Sequence, residues 1–509
     1  MLAATLLAAT SPVSRRRVAG IVALVAALAT AALCAATLAK VGGGTLVVWF
    51  GGWRPRAGVA VGIDFAVDPL GGAFALFVAV LGVAALVMCV EVIQVEDHLF
   101  DAIALVFIAA MVGFCLTGDL FNLFVFFELM SVCAYVLVGY EIRARAPLEG
   151  SLAFAITNSI GSILLLFGIA LLYGRTGALN LAQIGRTLAE GPADGLVVVS
   201  YALLAGGLLV KAAAVPFHFW TADAYAVAPT PVGLLLGGAF SELGLFGLAR
   251  VHWTVFHDVL AADEPRLRAI LVGLGVLTGL VGAVMCAAQH HLKRLLAFAT
   301  IAHVGLFLAG IGLLDADGLA GAAVWIVGDG LVKAALFATV GLRVFFGVGR
   351  PAPEDPHSAG TDDDSADESE EPFANMPALL WGPALVLVAA SLAWGLLPGV
   401  VDAAGRAAER FVASGAYAAA VLRGAPLPDV VSPLHGPTAT GYLYAAASVL
   451  GAVGVAAAAL AGARERAPRA GVRALEALRA LHSGRPGDYA AFTAAGVAVL
   501  GGLLAIAIG

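Results

Sequence analysis

Apolar stretches of about 20 residues recur along nearly the whole of this chain, and this repetition constrains its fold more than any other feature. An α-helix of that length crosses the hydrocarbon core of a bilayer, which is about 30 Å thick. The composition agrees, because 61% of the 509 residues are hydrophobic and 12% are charged, whereas soluble domains carry roughly 25% charged residues. The sequence therefore predicts an all-α, multi-pass protein of the cell membrane.

The predicted spans number about 13 or 14, and a short apolar segment at residues 2–10 adds part of a further helix. If the arginines at 15–17 are cytoplasmic, alternate crossings put the basic loops near 143–145, 293–294 and 343–350 on that same side and the C-terminus outside. The first apolar stretch is longer than the core of a secretion signal, which favours an uncleaved anchor. The spans lie near residues 18–40, 69–93, 99–118, 120–141, 149–173, 195–219, 229–252, 268–289, 294–314, 318–347, 377–399, 438–462 and 487–508.

Lysine is rare in this chain, with four lysines among the 28 basic Lys and Arg residues. Lys40 lies at the edge of an apolar run, whereas Lys211 and Lys333 lie inside such runs and Lys293 opens another. A lysine at the centre of a membrane helix costs about 2.5–3.5 kcal/mol on insertion scales, so it rarely persists without a function. We therefore expect the embedded lysines to carry or steer a proton or a cation.

An acidic residue, Glu128, lies in the middle of the apolar segment LFNLFVFFELMSVCAYVLV. A carboxyl group in such surroundings is either protonated or paired with a cation. By residue type, Lys211 is the closest match for a partner, and a buried Glu–Lys pair can act as a proton switch. The alternative is a static ion pair.

The helix that carries Lys211 is predicted to break directly after it, at Pro216. Proline removes a helical hydrogen bond, and freed carbonyl groups are tolerated at membrane depth where they line a hydrated cavity. His218 follows two residues later and titrates near neutral pH, so it is either a proton relay or a structural hydrogen-bonding histidine. The segment has the pattern of an ion-translocating site.

Further ionisable residues continue this polar path through later spans. Glu242 is a second carboxylate in an apolar helix, and His303 and Asp329 lie in the next predicted spans. Asp329 precedes Lys333 by four residues, which places both on one helix face. Asp329 is therefore either a connecting group of this polar path or simply the counter-ion of Lys333. His303 and Glu242 are likewise either connecting groups of the path or structural residues.

Motifs for cofactors and metals are not apparent in the sequence. The glycine pairs fall within apolar helices, where small residues allow close packing, and the five cysteines contain no CxxC pair. Residues 351–373 read as a solvated, disordered acidic insert, for which metal binding is the less favoured alternative. We expect no cofactor, no structural metal and no nucleic-acid partner.

Three segments resemble the proton-translocating antiporter-like subunits of multisubunit Na⁺/H⁺ (Mrp-type) antiporters, respiratory complex I and membrane-bound hydrogenases. They are FNLFVFFEL (121–129), KAAAVPFHFWTADAYAVAPTPV (211–232) and HLKRLLAFATIAHVG (291–305). GDGLVKAALF (328–337) is similar to the D-type subunit of the Mrp antiporters, as is the stretch at 396–422. The resemblance implies two inverted five-helix repeats, each with a broken helix, acting inside a larger complex.

The resemblance also implies roles for particular residues. Glu128 and Lys211 correspond to the glutamate–lysine pair of the family, and Lys333 to a lysine near the centre of the bundle. His303 and Asp329 would connect them by proton transfer along a hydrated axis at mid-depth. The family holds no redox cofactor in this type of subunit.

Two departures from the family pattern stand out. Glu242 occupies a position where the family usually has a lysine, which reverses the charge between Lys211 and Lys333. In addition, LFATVGLRVFFGVGR runs directly from the Lys333 helix towards the acidic insert, without the second broken helix of the family. The second repeat is therefore predicted to be shortened, or replaced by a diverged segment in 377–399.

These features divide the chain and give it a set of possible functions. The leading hypothesis is a proton-translocating subunit of a Na⁺/H⁺ antiporter that works with other subunits, protons, Na⁺ and the lipid bilayer. The alternatives are the equivalent subunit of an NADH–quinone oxidoreductase or hydrogenase-type complex, which leaves its status as part of an enzyme open, and a degenerate structural subunit that no longer pumps. The predicted regions are 1–98 (N-terminal helices), 99–253 (first repeat), 254–350 (incomplete second repeat), 351–373 (acidic loop) and 374–509 (C-terminal helices).

Overall fold

The computed structural model describes residues 1–10, 16–56, 58–92, 99–141, 144–346, 378–423 and 486–508, with isolated positions at 443, 446, 450 and 482. Within these residues, 11 helices are long and apolar enough to cross a membrane, or 12 if one bent pair forms a single span. The predicted multi-pass, all-α membrane architecture is therefore confirmed. The acidic insert at 351–373 and the predicted span at 438–462 lie outside the described residues, apart from three isolated positions of the latter.

The helix bounds follow the apolar stretches closely, because each stretch ends at polar, proline or glycine residues. The predicted short N-terminal helix is present as α1. The helices are α1 (Leu2–Thr10), α2 (Arg16–Val41), α3 (Pro69–Val92), α4 (Leu99–Leu116), α5 (Leu120–Val138), α6 (Arg145–Thr176), α7 (Leu181–Ala189), α8 (Gly195–Ala212), α9 (Phe219–Val227), α10 (Thr230–Leu235), α11 (Ser241–Val251), α12 (Glu264–Ala287), α13 (Leu292–Ile311), α14 (Ala316–Phe346), α15 (Ala378–Leu396), α16 (Val400–Val412), α17 (Ser414–Arg423) and α18 (Pro486–Ile508).

A small antiparallel hairpin between α2 and α3 was not predicted from the sequence. Its strands are β1 (Leu46–Trp49) and β2 (Asp64–Val67), and Leu46 pairs with Val67 at one end of the register and Trp49 with Asp64 at the other. Both strands are rich in β-branched and aromatic residues, which favour extended backbone. The hairpin marks one end of the bundle, which is called the hairpin end below.

The span that carries Lys211 is interrupted where the sequence predicts a break. Helix α8 ends at Ala212, Ala213 adopts a left-handed backbone with φ of +58°, and α9 begins six residues later at Phe219. Side chains satisfy two of the backbone groups freed by the break: the Trp220 indole donates to the Val210 carbonyl at 3.1 Å, and the Val215 amide donates to the Thr278 hydroxyl at 3.1 Å. Neither of these two backbone groups lines an open cavity. This differs from the expectation that groups freed by the break would line a hydrated cavity.

The most deeply buried span runs from Thr230 to Phe256 through the centre of the bundle. It is not a uniform α-helix, because π-helical turns at Leu236–Phe240 and His252–Phe256 flank α11. Such turns insert a residue into the helical repeat and re-aim the side chains beside them. The first of them immediately precedes Glu242.

Close helix packing holds the bundle together around this span. A Cβ atom on Gly305 of α13 would lie 2.1 Å from the Gly279 nitrogen of α12, and one on Gly282 would lie 2.3 Å from the Ala302 nitrogen. Small residues allow this approach, and such contacts drive helix association where lipid replaces water. The α12–α13 pair thereby fixes the position of His303.

Two features complete the described C-terminal part. Helices α15 and α16 meet at an angle of 81°, and Gly399 at their junction has a φ of +85°. Helix α18 runs the height of the bundle, because Tyr489 at its start donates to Asp223 of α9 and the Ala507 carbonyl near its end accepts from Arg266 of α12.

Candidate functional site

The predicted ionisable residues lie at similar depth in neighbouring spans. Glu128, Glu242, His303, Asp329 and Lys333 each lie in the interior of an apolar helix, and Lys211 lies where the α8–α9 span is interrupted. Lys211, Glu242 and Lys333 are at most 2% exposed. The structure arranges them as two groups, one around Lys211 and one around Lys333.

The Lys211 ammonium lies in a pocket in which it has one hydrogen-bond acceptor among the described residues. It donates to the Ser131 hydroxyl, and that hydroxyl donates in turn to the Phe127 carbonyl at 2.6 Å. The rings of Phe127 and Phe240 cover the ammonium, with centroids 4.2 and 4.4 Å from Nζ. An ammonium has three protons to donate, so one hydroxyl satisfies only part of this capacity, and the cation–π contacts with the two rings add to it.

Glu128 lies beside this pocket without forming the expected direct ion pair. Ser131 follows Glu128 by three residues on the same face of α5, and Lys211 contacts the serine, not the carboxylate. Among the described residues, Glu128 Oε1 is buried without a hydrogen-bond partner. The structure thus brings Glu128 and Lys211 close together and places a hydroxyl between α5 and the lysine.

The Lys333 group is a continuous ladder of ionisable side chains across three spans. Lys333 Nζ lies 3.0 Å from Glu242 Oε1 and 2.6 Å from Asp329 Oδ2, and His303 Nδ1 lies 2.6 Å from Asp329 Oδ1. The i,i+4 contact between Asp329 and Lys333 agrees with the predicted local pair. Glu242 contacts Lys333 directly, so Lys333 bridges two carboxylates that come from different helices.

The ladder contains one more carboxylate than ammonium groups, so it is electrically neutral only when it binds one additional proton. Two carboxylates face one ammonium, which leaves an excess negative charge while His303 is neutral. A proton on His303, or on the buried Glu242 Oε2 that has no hydrogen-bond partner among the described residues, removes that excess. The ladder is therefore neutral with this proton bound, and releasing it leaves one negative charge buried, which favours uptake of another proton.

An aromatic and hydroxyl layer separates the two groups. Phe240 covers Lys211 from the π-helical turn, and Glu242 follows it by two residues towards Lys333. Between them, the Ser241 and Tyr225 hydroxyls lie 2.9 Å apart, and Tyr225 also donates to the Leu236 carbonyl at 2.8 Å. Within the residues that the structure describes, no hydrogen bond or ion pair joins Lys211 to Glu242.

His218 is placed apart from both groups. It occupies the N-cap position of α9 without a side-chain capping hydrogen bond, is 3% exposed, and neither ring nitrogen has a hydrogen-bond partner among the described residues. Its neighbours are aromatic: the Phe219 ring is 4.4 Å away and the His482 ring 5.2 Å away. The described contacts do not link it to Lys211, so its predicted relay role stays a prediction.

Sequence reasoning missed two features of the site. Ser131 could have been found from its three-residue spacing after Glu128, which places both on one face. The buried pair of Arg250 and Asp68, with nitrogen and oxygen 2.5 Å apart and both side chains at most 2% exposed, could have been found from an arginine inside an apolar span. Its partner, far earlier in the chain, had no sequence signal.

The fold and site together define a multi-pass α-helical membrane protein whose bundle encloses a path of ionisable side chains. Residues 117–345 match the family described as "NADH:quinone oxidoreductase/Mrp antiporter, TM". This matched region contains every predicted site residue, and over it the chain is similar to that family.

The relatives carry two kinds of name. The chain is 32% identical over 326 residues to the N-type subunit of the NADH-quinone oxidoreductase of Desulforudis audaxviator, and 30% identical over 301 residues to the D-type subunit of the Na⁺/H⁺ antiporter of Alkalihalophilus pseudofirmus. These alignments cover 62% and 58% of this chain, and 63% and 59% of the two relatives. The match thus spans less than two thirds of the length of either curated relative.

A solved structure has the same fold. A chain of the Mrp complex from Dietzia sp. superposes with a TM-score of 0.69 at 24% identity, covering 83% of this chain and 97% of that one. At this level of identity the likeness is one of fold alone.

Proposed function

We propose that the chain is a proton-translocating membrane subunit of a multisubunit Na⁺/H⁺ antiporter. Protons would move at mid-depth between the Lys211 group and the Lys333 ladder, and the cell membrane would hold the subunit in a larger complex. The observation that carries this proposal is the contact series from His303 through Asp329 and Lys333 to Glu242, which joins three spans in an apolar bundle. Ionisable residues are costly there and are typical of proton pathways.

The two groups suit different steps of a transfer. Lys211 donates to one hydroxyl, so the loss of a proton from its ammonium costs few hydrogen bonds. Lys333 lies between two carboxylates and keeps its charge, while the extra proton of the ladder resides on His303 or Glu242. In this proposal, a proton released by Lys211 passes Phe240, which covers the ammonium, on its way to Glu242, and this passage is the controlled step.

The antiporter protein among the relatives supports this reading, as does the fold shared with a chain of an Mrp complex. In the proposal, the partners are other subunits of such a complex, and Na⁺ is the cation exchanged. Glu128 is the carboxylate that responds to the charge of Lys211.

A second candidate is the equivalent subunit of an NADH–quinone oxidoreductase, which is the name of another relative. Proton transfer through the chain would be the same, but oxidation of a substrate elsewhere in the complex would drive it. The genes that flank this one discriminate between the two: antiporter subunits favour the first proposal and redox subunits the second.

The test uses inverted membrane vesicles from cells without native antiporters, in which the chain is expressed with its neighbouring subunits. A fluorescent dye follows the proton gradient when Na⁺ is added, for the wild type, Lys211→Ala and Glu128→Gln. Lys40→Ala is the matched control, because Lys40 is an exposed lysine at the end of α2. We expect Na⁺ to collapse the gradient in the wild type and the control only.

Other outcomes decide against the proposal. Collapse that survives both substitutions would assign the chain a structural role without proton transfer. An assembled complex that shows no Na⁺ response, but pumps protons when NADH is supplied, would favour the redox-driven candidate. Assembly is checked by co-purification of the subunits in every variant.

A further inference from the structure

The hairpin end of the bundle contains a second group of buried acidic side chains, far from the mid-depth path. Asp64 of β2, Asp68 before α3 and Asp119 before α5 are all at most 4% exposed. Backbone pairing holds them in place, because Phe65 bridges to Thr117 and Asp119 bridges to Asn180. Three carboxyl groups in one buried region need cations, hydrogen-bond donors or protons.

Asp64 is only half satisfied by its neighbours. Its Oδ1 accepts from the Asn180 side-chain amide at 2.9 Å, whereas Oδ2 is buried without a hydrogen-bond partner among the described residues. Oδ2 faces the Gly118 backbone so closely that a Cβ atom there would lie 2.5 Å from it. Because Oδ2 is buried, unpaired within the described part of the chain and close to the Gly118 backbone, a proton is the partner that fits it with the least space.

Asp119 lies near enough to oppose the charge of Asp64. It caps α5, where its Oδ1 accepts from the Asn122 amide at 2.8 Å. Burial, and after it the charge of Asp119, raises the pKa of Asp64 to about 7. Burial likewise raises the pKa of Asp119 to about 6, in spite of the backbone hydrogen bonds that oppose the rise.

The other groups that face this pair do not neutralise it. Arg250 of α11 is committed to Asp68, whose other oxygen accepts from the Gly71 amide at 2.8 Å. Tyr417 of α17 lies close enough to be influenced by all three carboxylates, and its hydroxyl is buried without a hydrogen-bond partner among the described residues. With every acid ionised, three negative charges would face one guanidinium.

A metal ion fits this group less well than a proton. In the described part of the chain, no set of three or more His, Cys, Asp or Glu side chains is arranged to hold a metal. Asn180 presents its amide nitrogen to Asp64, and an N–H donor does not coordinate a cation.

We propose that Asp64 and Asp119 form a proton-binding carboxyl pair that takes up and releases one proton at the hairpin end of the bundle. The pair lies near Asp68 and Arg250, because Tyr417 is influenced by all of them, and Arg250 lies on the same helix as Glu242, eight residues or roughly 12 Å along it. Loading the pair removes negative charge near Asp68 and Arg250. The pair thus sets the proton affinity of this side of the protein.

The direct test is infrared difference spectroscopy of the full chain, in its complex in lipid nanodiscs, between about pH 5 and about pH 8. We expect a carboxylic-acid carbonyl band that disappears with a midpoint near 7 in the wild type. Asp64→Asn should remove the component with a midpoint near 7 and leave only the component of Asp119 near 6. Asp258→Asn, which replaces an exposed carboxylate near the same end, should leave it unchanged.

A second variant keeps the test decisive if Asp64→Asn fails to fold. Asp119→Asn removes the neighbouring charge and should shift the midpoint of the band to lower pH, because an ionised Asp64 then meets less repulsion. A band that is unchanged in Asp64→Asn, or a midpoint that does not move in Asp119→Asn, would overturn the proposal. So would a wild-type spectrum without a titrating band in this range.

The transport consequence rests on the proposed function and is measured separately. In vesicles that exchange Na⁺ for protons, each asparagine variant should flatten the dependence of the rate on the pH at the hairpin side, relative to Asp258→Asn. If the chain does not transport at all, the spectroscopic result still decides whether the pair binds a proton. An unaltered pH dependence in an active complex would contradict the assigned role in transport.

Discussion

At the scale of single residues, the two deeply buried lysines are held in opposite ways. Lys211 contacts one hydroxyl and two aromatic rings, whereas Lys333 lies between two carboxylates. The surroundings of Lys333 fix a positive charge, and those of Lys211 favour it only weakly. A proton-transfer path needs both kinds of group, because a fixed charge tunes the neighbours of one that changes.

Ser131 is predicted to matter for transport although it is not ionisable. Ser131→Ala removes the hydrogen-bond acceptor of Lys211, and a hydrogen bond to a charged group is worth ~1.5–3 kcal/mol. We expect the exchange rate to fall about 10-fold or more. Ser162→Ala is the control, since Ser162 is also buried and, among the described residues, its hydroxyl bonds to a carbonyl within its own helix. Equal rates in the two variants would remove Ser131 from the path.

The Arg250–Asp68 pair is predicted to contribute to stability. Arg250→Met leaves the carboxylate of Asp68 buried without its partner, and the loss of one member of a buried pair costs ~3–5 kcal/mol. The double variant Arg250→Met/Asp68→Asn should recover most of this loss, because asparagine is neutral and still accepts from the Gly71 amide. Thermal unfolding of the purified protein measures the stability of both variants. A double variant that is no more stable than Arg250→Met would refute the role of the unpaired Asp68 carboxylate.

At the scale of secondary-structure elements, the contact between α12 and α13 positions His303. Gly282→Ala would bring a Cβ atom to 2.3 Å from the Ala302 backbone, beside His303, so the helices must separate. Overpacking of this kind costs ~1–3 kcal/mol, and we expect both the melting temperature and the exchange rate to fall. Gly273→Ala on the same helix meets no atom within 4 Å, and it should lower neither quantity. Similar losses in the two variants would contradict a packing effect specific to Gly282, because helix propensity favours alanine over glycine at both positions.

The elements themselves were largely predictable from the sequence, whereas their neighbours were not. Apolar length predicted the spans, Pro216 predicted the break after α8, and four-residue spacing predicted the contact of Asp329 with Lys333. By contrast, Lys333 meets Glu242 across 91 positions and Lys211 meets Ser131 across 80. Uniformly apolar spans have nearly the same pattern on every face, so nothing local says which faces meet.

At the scale of the whole molecule, the charges form two levels. The mid-depth ladder runs sideways from helix to helix, and the acidic pair lies at the hairpin end. Helix α11 connects the levels, because it carries both Glu242 and Arg250. We therefore expect protonation at one level to alter the electrostatic potential at the other, since the span that joins them is fully buried.

The hairpin-end pair should also make the stability of the whole protein depend on pH. Because the pKa values of Asp64 and Asp119 are raised from 3.8 to about 7 and about 6, the folded state binds more protons than the unfolded state between these limits. Their stabilising contribution is present below the unfolded value and is lost as the pH rises through the folded values, by up to ~1.4 kcal/mol per pH unit for each group.

The melting temperature should therefore fall as the pH rises from about 4 to about 7, and more steeply in the wild type than in Asp64→Asn, in which one titrating group has become permanently neutral. Asp258→Asn should keep the wild-type slope, because that carboxylate is exposed. Scanning calorimetry of the three proteins at matched lipid and salt gives the slopes directly. Equal slopes in the wild type and Asp64→Asn would mean that Asp64 is already ionised in the folded protein, and its buried Oδ2 would then need a cation that the described residues do not supply.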